Sequence, residues 1–124
     1  MKKYRQPALL LGICLLLAAS ALDGHEPLQM QVSPRITLEP GFLTVRVRVE
    51  AAADNRTLQV VAESADFYRS SEIPLDGVHA APLAVFVFPN LPSGLYQVTG
   101  LLGGVKGRRA TVGGVARVQA STGS

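Results

Sequence analysis

The chain has few of the residues that bind metal ions or form disulfide bonds. Its 124 residues include one cysteine, two histidines and no tryptophan. The cysteine, Cys14, lies in an apolar run near the N-terminus, so the remainder of the chain can form no disulfide and has no thiol. A zinc site takes three or four Cys, His or carboxylate ligands, and neither His25 nor His79 belongs to a spaced cluster of such residues. We therefore predict no metal site and no cofactor.

Catalytic motifs are missing as well. Serine hydrolase chemistry needs a nucleophile held beside a base and an orienting acid, and the sequence has no G-x-S-x-G elbow. A D-x-[DN]-x-[DN]-G calcium loop is also absent. Glycoside hydrolysis needs a facing pair of carboxylates, but the acidic residues are scattered over predicted strand faces and turns. They include Glu39, Glu50, Asp54, Glu63, Asp66, Glu72 and Asp76. The sequence thus predicts no catalytic residues and a protein that is not an enzyme.

The N-terminal segment has the composition of an export signal. The basic start MKKYRQP precedes an unbroken apolar run from Ala8 to Ala19, and small residues follow. This is the order of a secretory signal peptide, and about 12 apolar residues are too few for a bilayer core, which needs about 20. We predict cleavage after Ala21, so that residues 1–21 are the signal peptide and the protein is periplasmic or extracellular.

Removal of this segment changes the charge balance. The full chain carries 12 basic and 9 acidic side chains, and Lys2, Lys3 and Arg5 lie within the signal peptide. Nine side chains of each sign therefore remain, and the mature part has no net charge. Nonspecific binding to nucleic acid or to an anionic membrane needs a positive surplus. We expect no nucleic-acid partner and no stable membrane span after cleavage.

The mature chain shows the period of β-strands and no helical period longer than a turn. From Phe42 to Glu50 apolar and polar residues alternate, which indicates a half-buried strand. Its inner face would be Leu43, Val45, Val47 and Val49, and its outer face would include Arg46 and Arg48. Thr57 to Glu63 predicts a second strand, close enough to the first for a hairpin.

Further strands follow at short intervals. Ile73 to Leu75 predicts a short edge strand, because proline is tolerated at sheet edges. Pro82 to Phe88 predicts a central or nearly central strand, with Phe86 and Phe88 on one face and Val85 and Val87 on the other. Gly103 to Gly107 forms a turn, and Arg108 to Gln119 closes the domain with one strand or two short ones. The core would take four aromatic residues: Phe42, Phe86, Phe88 and Tyr96.

The segment from Asn90 to Thr99, NLPSGLYQVT, combines turn residues with the start of a strand. Tyr96 would point into the core and hydrogen-bond back to the preceding loop, as in the tyrosine corner of β-sandwiches. The run LPSGLYQV resembles the entry to the penultimate strand of fibronectin type III-like and carboxypeptidase regulatory-like domains. The stretch from TVRVRVE through LPSGLYQVTG also resembles small secreted bacterial immunoglobulin-like proteins of unassigned function.

This resemblance covers roughly residues 40 to 120 and implies a binding or spacer module, although fold alone does not settle function. The chain departs from antibody-type domains in lacking the inter-sheet cysteines and the core tryptophan. Together the patterns predict an all-β protein with a single immunoglobulin-like β-sandwich of about seven antiparallel strands over residues 36–120. A flexible lead-in would span residues 22–35, with room for a short edge strand near Met30 to Val32, and residues 121–124 would be a disordered tail.

We expect the protein to act by noncovalent contact with a protein or cell-envelope partner, through loops at one end of the sandwich, as a monomer or weak oligomer. Two groups are candidate contacts: Phe67, Tyr68 and Arg69 in an irregular segment, and Lys106, Arg108 and Arg109 at a hairpin tip. Each has a structural alternative. One of the two aromatic rings would plug the sandwich edge, and the basic tip would simply be solvated.

Two other binding functions remain open. Phe67 and Tyr68, if both are exposed, would form a platform on which sugar rings stack. Cleavage after Gly24 instead of Ala21 would make His25 the N-terminal residue, able to chelate copper through its amine and its ring, with His79 and Asp76 as further ligands. An exposed aromatic pair would favour a carbohydrate-binding protein, and an N-terminal His25 would favour a periplasmic copper-binding protein.

Overall fold

The computed structural model describes residues 26–121, so the predicted signal peptide, His25 and the last three residues lie outside the described residues. Within residues 26–121 the chain is nearly all β. One short 3-10 helix spans Gly77–His79. No helix in this range is long and apolar enough to cross a membrane. The strands are β1 (Leu28–Ser33), β2 (Ile36–Leu38), β3 (Gly41–Val49), β4 (Asn55–Glu63), β5 (Tyr68–Pro74), β6 (Leu83–Leu91), β7 (Gly94–Gly104) and β8 (Gly107–Gln119).

These strands form two sheets that share one core. The three-stranded sheet has the order β1-β3-β6, and the five-stranded sheet has the order β2-β8-β7-β4-β5. This confirms the prediction of an all-β architecture. The described strands number eight, and β2 pairs with β8 in parallel, whereas the sequence predicted about seven strands, all antiparallel.

Strand alternation determines which side chains form the core. In β3 the residues Leu43, Val45 and Val47 are fully buried and their neighbours face outward. In β6 the rings of Phe86 and Phe88 are buried, as predicted, while Val85 and Val87 are exposed. Burying an apolar side chain of this size stabilises the fold by about 1.5–3 kcal/mol. The period-two pattern therefore accounts for the inner face of both strands.

The prediction of a core position for Phe42 is wrong. Its side chain is 52% exposed, because Phe42 precedes Leu43 and therefore points to the outer face of β3. Successive side chains of a strand point to opposite faces, so burial of Leu43 places the Phe42 side chain on the outer face. The hydrophobicity of the ring favoured the core, but its position in the strand places it outside.

Two predictions about strand neighbours are also wrong. β3 and β4 do not form a hairpin, because β3 pairs with β1 and β6 whereas β4 pairs with β5 and β7 in the other sheet. The intervening loop carries the chain from one sheet to the facing one, about 10 Å away. β6 is not central: it lies at an edge and pairs with β3. Its two apolar faces suggested burial on both sides, but its outer face is exposed.

The lead-in differs from the flexible segment predicted for residues 22–35. Its described part contains β1, which pairs with β3 along its whole length. Leu28 is buried in the core, and Met30 and Val32 pack against it. These three residues alternate with Gln29 and Gln31, so the strand pattern was present but short.

Other predictions about the second half of the chain agree with the structure. The predicted edge strand is part of β5, which lies at the edge of the five-stranded sheet and ends at Pro74. The glycine-rich turn joins β7 to β8, and β8 is one continuous strand. Arg46 and Arg48 lie on the outer face of β3, as predicted, and β3 is the middle strand of its sheet.

The tyrosine corner is confirmed. Tyr96 is completely buried, and its hydroxyl donates a hydrogen bond to the Pro92 carbonyl over 2.7 Å. This bond ties the start of β7 to the loop that leads into it. Burial raises the pKa of the Tyr96 phenol above its usual 10.0, and a hydrogen bond with the Ser64 side chain and the charge of Arg69 lower the pKa in the opposite direction.

Tyr96→Phe is expected to reduce the free energy of unfolding by about 1 kcal/mol at neutral pH, because one buried hydrogen bond is lost. Below pH 10 the phenol is neutral in both states. Above it the unfolded chain loses the proton while folded Tyr96 keeps it, so the native protein loses stability as pH rises. Urea unfolding above pH 10 should show a steeper loss for the unmodified protein than for Tyr96→Phe. Equal slopes would contradict this account of the alkaline pH dependence.

Candidate functional site

The loops of the sandwich gather at two ends. One end, which we call the tip end, contains the β3–β4 loop (residues 50–54), the β5–β6 loop (residues 75–82) and the β7–β8 turn (residues 105–106). The opposite end contains the β4–β5 and β6–β7 loops, residues 64–67 and 92–93. β4 connects the ends, since its residue Asn55 pairs with Gly104 and its residue Glu63 pairs with Tyr68. Eight steps along a strand separate the two ends by roughly 26 Å.

The structure does not bring the two predicted contact groups together. Lys106, Arg108 and Arg109 lie at the tip end, at the turn between β7 and β8 and the start of β8. Phe67, Tyr68 and Arg69 lie at the opposite end, where β5 begins. A single loop surface can therefore contain one group or the other, and the two must be considered separately.

At the opposite end, the two aromatic rings do not form a shared platform. Phe67 is half-buried and packs against the core, with its ring edge-on to Tyr96 at 6.4 Å between centroids. Arg69 lies over the Phe67 ring, with its guanidinium carbon 5.0 Å from the centroid. Arg69 also donates a hydrogen bond to the Pro89 carbonyl. Tyr68 is 58% exposed, so this geometry agrees with the alternative in which one ring plugs the sandwich edge.

At the tip end, a polar network joins two loops. Asn55 is 1% exposed, and its amide donates to the Glu50 carbonyl over 3.0 Å and accepts a hydrogen bond from Arg109. The Arg109 Nε atom lies 3.4 Å from the Asp54 carboxylate, which also accepts a hydrogen bond from the Val105 backbone N–H over 3.0 Å. The β3–β4 loop is thereby fixed against the β7–β8 turn. Among the described residues no buried side-chain polar atom lacks a partner.

The β5–β6 loop is fixed against the β3–β4 loop and the start of β4. The backbone N–H of Leu75 donates to the Arg56 carbonyl over 2.8 Å. Gly77 has a positive φ of 51° and lies against Ala53, so a Cβ at this position would stand 3.1 Å from the Ala53 carbonyl oxygen. A side chain is disfavoured there by both conformation and space. All three loops of the tip end are therefore held in place by defined contacts.

This arrangement leaves a rigid surface of mixed character at the tip end. Val78 and Val105 are more than half exposed, and Lys106 and Arg108 are exposed in the β7–β8 turn and at the start of β8. Arg109 has a different role, because its guanidinium holds Asp54 and Asn55. Asp54 and Asn55 were not identified from the sequence as part of this surface, because their contacts with Arg109 join positions 54 or more residues apart and leave no local signal in the sequence.

The residues considered for copper are only partly within the described range. His79 and Asp76 lie in the β5–β6 loop, where the His79 backbone N–H donates to the Asp76 carbonyl over 2.9 Å. No group of three or more His, Cys, Asp or Glu side chains that could hold a metal ion occurs among residues 26–121. His25, on which the copper interpretation depends, lies outside the described residues.

Comparison with known proteins gives structural similarity without sequence similarity. No protein-family model and no curated protein matches the sequence. Superoxide reductase (neelaredoxin) from Ignicoccus hospitalis has a similar structure, with a TM-score of 0.54 at 10% identity over 77% of this chain and 81% of that one. A single-residue variant of the same reductase gives a TM-score of 0.53 at 11% identity, over 75% and 80% of the two chains. A family 76 glycoside hydrolase from a bovine Bacteroides thetaiotaomicron strain gives 0.52 at 14% identity, over 73% of this chain and 20% of that one.

These similarities correct one prediction. The absence of catalytic motifs predicted that the protein is not an enzyme. The structural similarity contradicts this prediction, because superoxide reductases are enzymes with a similar fold. The absence of hydrolase motifs does not exclude catalysis of another kind, because other proteins with a similar fold are enzymes. At 10–14% identity the comparison establishes the fold alone.

Proposed function

We propose that the protein is an exported interaction module that binds a protein or cell-envelope partner through its tip end. The observation that carries this proposal is the fixed position of the three tip-end loops, which the contacts of Asp54, Asn55, Arg109 and Gly77 hold in one arrangement. A surface that is ordered before binding loses little conformational entropy when a partner docks. Exposed Val78 and Val105 supply apolar contact area, and Lys106 and Arg108 supply charge.

The proposed fold family supports this choice of surface. The orders β1-β3-β6 and β8-β7-β4 correspond to the A-B-E and G-F-C strands of an immunoglobulin-like sandwich. In this assignment the tip-end loops β3–β4 and β7–β8 correspond to the B–C and F–G loops, which variable domains use for recognition. The signal-like composition of residues 1–21 supports the export part of the proposal.

Site-specific photocrosslinking in the producing organism would test the proposal. A photoreactive residue at Val105, which is 63% exposed, is expected to give a discrete adduct, and Lys106→Glu is expected to weaken that adduct. The matched control is the same photoreactive residue at Tyr68, which is similarly exposed at the opposite end. A separate measurement tests export: the intact mass of the purified protein should correspond to a chain that begins at Leu22. An adduct at Tyr68 alone, or none at either position, would contradict binding through the tip end.

A further inference from the structure

The strand β6 has an open edge. The Val49 N–H donates to the Pro82 carbonyl over 2.9 Å, which makes these residues a hydrogen-bonded pair. Hydrogen-bonded and non-bonded pairs alternate along an antiparallel ladder, so the backbone groups of Leu83, Val85 and Val87 point away from β3. Within residues 26–121 no strand lies on that side of β6. These three residues therefore present unpaired donors and acceptors.

The side chains beside this open edge form a basic and apolar surface. Leu83 lies opposite Arg48 and Val85 lies opposite Arg46, all on the outer face of the three-stranded sheet. The sequences of β1, β3 and β6 contain no acidic residue, and Glu50 follows just beyond the end of β3. The ion pair found among the described residues joins Arg109 to Asp54, so neither Arg46 nor Arg48 is neutralised by an ion pair.

An apolar groove lies on the inner side of the same edge. It has a volume of about 380 Å³ and runs between β6 and the end of β5. Its lining includes Ile73, Leu75, Ala80 and Ala84, which pack in or against the core, and one charged residue, Asp76. A strand added beside β6 would direct alternate side chains into this groove and the others toward the outer face.

We propose that β6 accepts an extended, acidic segment of a partner protein as a fourth strand of the three-stranded sheet. Backbone hydrogen bonds to Leu83, Val85 and Val87 would give affinity, as in other cases of strand addition. Apolar side chains of the segment would fill the groove, and its acidic side chains would lie on the outer face toward Arg46 and Arg48. Those residues stand about 10 Å from the added strand, two strand spacings away, which an arginine and a glutamate span together. A second copy of this chain fits less well, because it would add like charges.

Peptide binding would test this inference independently of the tip end. A peptide of alternating glutamate and valine should bind the purified protein at least about tenfold more tightly than the same peptide with lysine in place of glutamate. The double substitution Arg46→Glu with Arg48→Glu should reverse this preference. Val85→Pro should abolish binding, because it removes a donor on the open edge and leaves the pairing with β3 intact. Circular dichroism and urea unfolding would verify that each variant is folded.

Three results would overturn the inference. Equal affinity for the glutamate and lysine peptides would remove the charge argument. Self-association that Val85→Pro abolishes would assign the edge to a second copy of the chain. Binding to anionic phospholipid vesicles that depends on the two arginines and survives Val85→Pro would assign the surface to a membrane.

Discussion

Phe88→Ala is expected to lower the free energy of unfolding by about 3–5 kcal/mol, whereas Phe42→Ala should lower it by less than about 1 kcal/mol. Phe88 is 1% exposed in β6, between the two sheets, so truncation removes buried apolar area and leaves a cavity. Phe42 is 52% exposed on the outer face of β3. Urea denaturation of the two variants under identical conditions gives both values.

The comparison is informative because the two residues are the same amino acid in two strands of one sheet. Their hydrophobicity predicts equal effects, and their positions in the alternation predict unequal ones. Similar losses for the two variants would contradict the orientation of β3, in which Leu43 and Val45 face the core and Phe42 faces outward. A large loss for Phe42→Ala alone would mean that β3 is shifted by one residue.

Arg109→Ala is expected to lower the free energy of unfolding by about 1–3 kcal/mol, and Arg108→Ala by less than about 0.5 kcal/mol. Arg109 donates to the side-chain oxygen of Asn55, which is almost fully buried. Without this donor the oxygen loses its partner in the protein interior. The ion pair between Arg109 and Asp54 adds little to the effect, because both side chains are partly exposed.

The two arginines also separate stability from binding. Arg108 is exposed at the start of β8, next to the β7–β8 turn, so Arg108→Ala should weaken partner capture at Val105 without reducing stability. Thermal unfolding of both variants, measured beside the photocrosslinking yield, distinguishes these roles. Equal stability of the Arg109→Ala and Arg108→Ala proteins would show that the Asp54 and Asn55 contacts do not hold the tip-end loops.

The candidate site was only partly predictable from the sequence, because the roles of its residues depend on contacts with distant parts of the chain. A run of three cations within four residues marked the tip as a possible contact surface. Nothing in the run distinguishes Arg109 from Arg108, because their roles depend on Asp54 and Asn55, which lie more than 50 residues earlier in the chain. Likewise, the adjacency of Phe67 and Tyr68 suggested one aromatic platform. The packing of Phe67 against Tyr96 and beneath Arg69 separates the two rings.

The sequence by itself determined the all-β class, the inner faces of β3 and β6, and the tyrosine corner at Tyr96. These features depend on residues that are neighbours along the chain, since alternation with period two and turn composition are local properties. Only the tertiary structure decided that β3 and β4 belong to different sheets, that β6 lies at an edge, and that Phe42 is exposed. Strand pairing and sheet membership are contacts between distant segments, and a strand's own pattern is compatible with several partners. For the same reason, the sequence named charged and aromatic candidates, and the fold decided which of them meet.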